Sequence, residues 1–453
     1  MVQYCIVPYG SSTEDDKATI PPPHFLDTVN HLEINNSLRH AIEHTEPLVP
    51  LAAQTHRGRS ATRRCTGPSV PWSSSPSYSI VLPAALEETT ASTPRQASYF
   101  VDNRVSYVLE GFAHIALTRH TTKFFRFVVR PFIWMISLIF PARYLKIPET
   151  VLANNNSSVK YLPPSSLSTN KTHKQRLVVF SHGLTGTGEE NSIFCTCLAK
   201  RGYVVASIHH RDGSSSRVPM PDGSCKFYQH FPIGSEYDPQ NRLDQVHVRA
   251  NEMLNTCDWL LKSNDDDEQT EYYIEEEDNY PILKEICNNL DGKKLIAAGF
   301  SYGATTSALA ATLRPDQFQC AILLDGWFHI EWSSRGVDID FPPDAFASSD
   351  KVNGSKGLDI PSLFINSSQF EGYSKLYDAT RRLAEQISQN RSKMYVLLNT
   401  KHQNFCDVVF WLPKWSLRRC GKFLAIGSAD AYEAYESMMS WTFQFIDTHF
   451  KDH

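Results

Sequence analysis

The chain has 453 residues, 41% of them hydrophobic and 21% charged, enough apolar material for one large domain or two ordinary ones. Its 44 Lys and Arg are outnumbered by 49 Asp and Glu, for a net charge of −5. That balance lacks the basic stripe that neutralises phosphates, so no nucleic-acid partner is expected. The ten cysteines are scattered, with no Cys-x-x-Cys pair and none of the density of a disulfide scaffold. They read as thiols of a reducing compartment, which makes a cytoplasmic location the expectation. Met1-Val2-Gln3-Tyr4 shows no basic region leading into an apolar stretch, so no signal peptide is expected, and Val2 excludes N-myristoylation.

In chain order, residues 1 to about 95 are rich in Pro, Ser, Thr and His and weakly periodic. They read as an N-terminal extension, partly disordered, ahead of one domain over 96–453. The most apolar stretch runs from Phe124 to Phe140. Arg126, Arg130 and Pro131 inside about one minimal span argue against a transmembrane helix. It is therefore either a helix buried in the core or an element lying on a lipid surface. In the second case Arg126, Arg130, Arg143 and Lys146 would reach the headgroups.

From Leu177 the pattern alternates strand and helix. Leu177 to Phe180 is a buried strand, and a helix through Ile193 and Leu198 stops at Gly202. Tyr203 to Ile208 is the next strand. A long helix from about Leu243 to Leu261 carries Leu243, Val246, Ala250, Met253, Cys257 and Leu260 at threes and fours. The acidic insertion at about 264–280 reads as a solvated loop, since nothing fixes its carboxylates around an ion. Strands follow at Leu295 to Ala298, Cys320 to Leu324, Ser362 to Ile365 and Met394 to Leu398. Helices lie at about Tyr302 to Leu313, Tyr373 to Ser388 and Ala431 to Thr448. Such alternation implies a mainly parallel sheet covered on both faces, an α/β class.

Gly299-Phe300-Ser301-Tyr302-Gly303 matches Gly-x-Ser-x-Gly between an apolar strand and a helix of small residues, the setting of a nucleophile elbow in the α/β-hydrolase fold. The hydroxyl of Ser301 needs a base, and the base an orienting acid. His329, His402, His449 and His453 follow Ser301. His402 is the candidate base, because it follows the last strand and its loop faces the carboxyl edge of the sheet. Asp325 ends the strand Cys320 to Leu324 and is the candidate acid, with Glu371 as runner-up. The oxyanion donors are expected to be the backbone N–H of Tyr302 and that of Leu184, in the loop Ser181-His182-Gly183-Leu184. His182 reads as a structural histidine behind that loop. His209-His210-Arg211-Asp212 reads as a strand-end loop rather than a metal site, and neither metal nor cofactor is expected.

Several motifs together resemble the platelet-activating factor acetylhydrolase family of the plasma and intracellular monomeric type. They are Leu177 to Leu184, Ala206 to Ser214, Gly299 to Ala304, Leu323 to Trp327, Pro361 to Ser367 and Lys401 to Phe405. The resemblance places the family's triad on Ser301, Asp325 and His402, and its oxyanion donors on Leu184 and Tyr302. It implies calcium-independent release of short or oxidised acyl chains from the sn-2 position of phospholipids, and docking on lipid surfaces. The extension and the acidic insertion depart from the family pattern. The reading is a monomeric lipid-directed ester hydrolase, cytoplasmic or peripherally membrane-bound. A phospholipase A1 or general lipid esterase of the same fold is the alternative.

Overall fold

Alternation along six apolar strands divides the interior into two cores, one on each face of a sheet. The structure, a computed structural model, describes residues 4–6, 78–81, 96–98, 105–117, 128–139, 146–148, 152–153, 174–220, 224–232, 238–262, 287–332, 335–346, 357–388, 391–411 and 424–450. Strands of the main sheet are β1 (Tyr4–Ile6), β2 (Tyr78–Val81), β3 (Leu152–Ala153), β4 (Leu177–Ser181), β5 (Val204–Ile208), β6 (Leu295–Phe300), β7 (Phe318–Leu324), β8 (Ser362–Ser367) and β9 (Ser392–Leu397). Helices are α1 (Val105–Leu117), α2 (Arg130–Ile139), α3 (Ser192–Lys200), α4 (Pro239–Lys262), α5 (Tyr302–Leu313), α6 (Ser368–Glu371), α7 (Ser374–Glu385) and α8 (Ala431–His449).

The spatial order is β1-β9-β8-β7-β6-β4-β5-β2-β3. Strands β9, β8, β7, β6, β4 and β5 run parallel, and β1, β2 and β3 join by antiparallel pairing at the two ends. Val178, Phe180, Ile296, Ala298, Ile322, Leu324, Leu363 and Ile365 point to the face covered by α3 and α8. Leu177, Val179, Leu295, Ala297, Ala321, Leu323 and Phe364 point to the face covered by α4, α5 and α7. Burial on both faces is why these strands read as continuous apolar runs.

The chain leaves β4 toward β5 on one side and returns through α4 to β6 on the other. The order therefore reverses at β4 and β6. A reversal splays the loops that follow the two strands and opens a crevice at their carboxyl ends.

Three expectations are modified. Helix α4 starts at Pro239, earlier than the apolar stripe indicates, because Asp238 and Pro239 form its start: Asp238 Oδ1 accepts from the N–H of Gln240 at 3.0 Å. Strands β1 and β2 come from the stretch read as an extension, and their edge pairing needs too few residues for a visible pattern. Of the stretch Phe124 to Phe140, read as either a core helix or a lipid-surface element, residues 128–139 are described, and they do not form a helix buried in the core. In α2, Val129 (just before it) and Ile133 pack on α1, whereas Phe132, Trp134, Met135 and Leu138 are exposed. Arg130 pairs with Glu110 of α1 at 3.1 Å, while Arg126, Arg143 and the side chain of Lys146 lie outside the described residues. The acidic insertion at 264–280 lies outside them too. No described helix is long and apolar enough to cross a membrane.

Candidate active site

Ser301 sits between β6 and α5 with φ 57° and ψ −120°, a left-handed backbone costing about 1–3 kcal/mol for a residue other than glycine. The turn is held by the Ser301 N–H, which donates to Leu324 at 2.8 Å, and by the Trp327 N–H, which donates to the Ser301 carbonyl at 3.2 Å. Two close approaches explain the glycines. A Cβ on Gly303 would land on the carbonyl oxygens of Ser181 and His182, and one on Gly299 would land on the backbone of Gly303. Ser301 is also the N-cap of α5, a position where a serine hydroxyl ordinarily accepts from the helix backbone. Here it makes no capping bond. It lies instead 2.9 Å from Nε2 of His402.

His402 follows β9, and its Nδ1 lies 2.8 Å from Oδ2 of Asp325, at the end of β7. Asp325 has no exposed surface. Its Oδ1 accepts the Ser367 N–H at 2.6 Å, and its Oδ2 accepts the Ser367 hydroxyl at 2.9 Å. Every bond its carboxylate makes is thus from a donor, the pattern that stabilises a buried carboxylate. Adjacent strand ends consequently form one line: Ser301 after β6, Asp325 after β7, Ser367 closing β8 and His402 after β9.

Two aromatic rings pack on the imidazole. The Phe370 ring stacks on it at 4.5 Å and 9°, and the Phe300 ring lies at 4.8 Å and 31°. Its backbone N–H donates to Gln369 Oε1 at 2.9 Å. Ser367 caps α6, accepting from the Phe370 N–H at 3.1 Å. One serine thereby joins the acid to the helix that carries the stacking ring. Nothing in the sequence marks Ser367, Gln369 or Phe370 as site residues. Ser367 closes the motif Pro361 to Ser367, but its two-way hydrogen bonding depends on strand adjacency.

The loop after β4 lies against the elbow: a Cβ on Gly183 would sit 3.4 Å from Ser301 Cβ. Leu184 follows Gly183 in that loop and Tyr302 follows Ser301, so the two expected donors sit on segments that meet at the elbow. Glu371, the runner-up acid, ends α6 on the surface and is not brought to His402. His329 is occupied by Asp338 at 2.6 Å, and the His449 ring lies 4.5 Å from that of Phe445, tilted by 55°. His453 lies outside the described residues.

Behind the loop is a second Ser–His–carboxylate chain. Ser181 Oγ lies 2.8 Å from His210 Nε2, and His210 Nδ1 lies 2.7 Å from Glu252 Oε2. Ser181 and His210 have no exposed surface, so no substrate reaches this serine. Burial, then the nearby Arg249 charge, holds His210 well below its ordinary pKa; burial also pushes Glu252 up to about 8. The contact of a neutral His210 with Glu252 is accordingly a hydrogen bond rather than an ion pair. His182 is likewise held neutral by burial, with Nδ1 at 2.7 Å from the Gly183 carbonyl and Nε2 at 3.0 Å from Ser215 Oγ. Among the described residues, no group of three or more His, Cys, Asp or Glu converges as a metal site.

A parallel sheet with an order reversal, a serine elbow after β6 and an acid and a histidine after later strands define the α/β-hydrolase fold. Residues 145–334 and 346–453 match the family model described as platelet-activating factor acetylhydrolase, isoform II, and the chain belongs to that family. A platelet-activating factor acetylhydrolase of Cavia porcellus is 26% identical over 245 residues, covering 52% of this chain and 49% of that protein. One of Gallus gallus is 25% identical over 293 residues, covering 61% and 62%. The chain spans about half the length of the first of these curated relatives. A ferulic acid esterase from Streptomyces cinnamoneus aligns in structure with a TM-score of 0.43 at 20% identity, covering 61% of this chain and 68% of that one.

Proposed function

We propose that the protein is a serine-dependent carboxylic-ester hydrolase. It releases acetyl and other short or oxidised acyl chains from the sn-2 position of phospholipids such as platelet-activating factor. The observation that carries this reading is the unbroken line Ser301–His402–Asp325 at parallel strand ends, in a chain of this family. His402 Nε2 takes the Ser301 proton as Oγ attacks the ester carbonyl. Asp325 holds Nδ1–H, fixes the tautomer and stabilises the imidazolium. The N–H groups of Leu184 and Tyr302 receive the oxyanion. His402 then gives the proton to the leaving alcohol, and water activated by the same imidazole hydrolyses the acyl-enzyme. The nucleophile is a side-chain hydroxyl activated by imidazole, so the reaction is proposed to be independent of calcium.

The protein is proposed to act as a monomer at a lipid surface from the cytoplasmic side. Free thiols at Cys195, Cys197, Cys225, Cys257, Cys320 and Cys406 support the compartment. The exposed face of α2, with Phe132 56% and Trp134 61% exposed, is the proposed contact.

A fluorophosphonate probe and phospholipids labelled separately at sn-1 and sn-2 test the reading. Wild type should be labelled at Ser301 and release the sn-2 acetyl group. Ser301→Ala should fold, resist labelling and lose about 10⁴-fold or more in turnover. A folded Ser301→Ala that keeps a tenth of wild-type activity would refute the nucleophile, and preferential release from sn-1 would favour a phospholipase A1.

A further inference from the structure

Arg249 heads the largest side chains without exposed surface among the described residues, and the steps proposed above do not use it. It lies on α4 among Val246, Ala250 and Met253, the positions that pack on the sheet. A guanidinium there must find acceptors for its donors, because a buried unpaired charge is strongly unfavourable. Its two terminal nitrogens find them at one place, while Nε is left without a hydrogen-bond partner. Nη2 donates to the carbonyl oxygen of His182 and, at 3.1 Å, to Ser181 Oγ. Nη1 donates to Ser214 Oγ at 2.9 Å. Ser181 ends β4, and His182 opens the loop that carries Leu184.

The same guanidinium reaches the other half of the site. Its carbon lies 4.9 Å from the centroid of the Tyr302 ring. The Tyr302 hydroxyl donates to the carbonyl of Arg242, also on α4, at 2.7 Å. The sealed relay returns to this helix as well: Ser181 contacts His210, and His210 contacts Glu252, three positions beyond Arg249. One helix thus grips both segments that carry the proposed oxyanion donors.

We infer that Arg249 is a positioning residue that sets the spacing between the two halves of the oxyanion hole, the Leu184 loop and the Tyr302 turn. Pairing of β4 with β6 fixes the strands up to Gly299 opposite Ser181. Beyond that register the two loops meet at Gly303 and Gly183, and the Arg249 side chain touches both segments. Oxyanion stabilisation depends on donors held in place before charge develops, so a shift of either segment lowers turnover more than substrate binding. Lysine cannot replace it, since a single ammonium lacks the planar fork that bonds His182, Ser181 and Ser214 while lying on the Tyr302 ring.

This inference rests on the hydrolase reading, and the experiment separates the two. Fluorophosphonate labelling of wild type at Ser301 is the first measurement; without it the hydrolase reading fails, and the inference with it. With labelling established, Arg249→Lys and Ser214→Ala are purified and their active sites titrated. Turnover per titrated site and KM are measured on a water-soluble short-chain ester. The Ki of a trifluoromethyl ketone, whose adduct places an oxyanion in the hole, is measured alongside. Arg249→Lys should lose about 10- to 100-fold in turnover per titrated site, with KM changed less than about threefold, a fraction of what losing a whole oxyanion donor costs. The Ki should rise by the factor by which kcat/KM falls. Ser214→Ala should show the same signature at about threefold, and it decides alone if Arg249→Lys does not fold. Wild-type turnover per site and wild-type Ki, even with a lower melting temperature, would reduce Arg249 to a brace of the fold and overturn the inference.

Discussion

Asp325→Asn replaces one carboxylate oxygen by NH2 in a site where all three bonds come from donors: the Ser367 N–H, the Ser367 hydroxyl and His402 Nδ1. The amide has two placements. With its NH2 toward the Ser367 N–H, two fixed donors collide in a site without exposed surface, at a cost of about 1–3 kcal/mol. With its oxygen there instead, the NH2 faces the Ser367 hydroxyl and His402. The hydroxyl can rotate to accept. His402 must then present a bare Nδ1 and carry its proton on Nε2, which faces Ser301 at 2.9 Å. An imidazole protonated there cannot take the serine proton. In serine proteases the wrong tautomer costs about 10⁴ in kcat, or about 5 kcal/mol in barrier. Because the second placement keeps both partners bonded, the fold should lose only about 1–2 kcal/mol, a melting temperature lower by roughly 2–6 °C. The assay is turnover on a short-chain ester, normalised to folded protein by melting scans and circular dichroism. Glu371→Gln on the surface should match wild type. Asp325→Asn within tenfold of wild-type turnover, or a crippled Glu371→Gln, would refute the assignment of the acid.

Other predictions address the scaffold. Gly303→Ala should cost about 3 kcal/mol or more, and roughly 5–10 °C in Tm, because its Cβ would meet backbone oxygens of Ser181 and His182 that cannot rotate away; a Tm within about 2 °C of wild type would contradict that close approach. Burial first, then the charge of Asp407, pushes Glu190 up to about 8 from an ordinary value of 4.5. The unfolded chain therefore releases this proton first, and the group's contribution to stability is lost as pH rises from about 4.5 to 8. Glu190→Gln should remove that slope and gain as much as about 3 kcal/mol at pH 7, with little change near pH 4.5; parallel pH profiles in denaturant melts would exclude it. Phe132→Ala with Trp134→Ala should weaken vesicle binding and vesicle activity while sparing a water-soluble ester, since both side chains are more than half exposed. Equal loss on both substrates with a lower Tm would make that face part of the fold.

Local chemistry carried much of this protein into its sequence. An elbow needs glycines where backbones nearly touch, and a strand buried on both faces needs an unbroken apolar run. Gly299, Gly303 and the six parallel strands were accordingly legible residue by residue. Asp325 was legible for a related reason, since a carboxylate at the end of an apolar strand requires a partner. Tertiary structure alone decided what lies around those positions. The apolar residues of α2 look the same in sequence whether a core or solvent faces them, and packing on α1 takes only Val129 and Ile133. Arg249 interrupts the buried face of α4, a visible anomaly, but its acceptors are held about 35 to 68 positions away in sequence. Ser181–His210–Glu252 repeats the connectivity of Ser301–His402–Asp325, although burial pushes Glu252 up to about 8 and Arg249 also donates to Ser181. Accessibility separates them. Packing leaves the His402 side chain 20% exposed at the strand ends and gives Ser181 and His210 no exposed surface, and burial of that kind is a property of the whole packed chain.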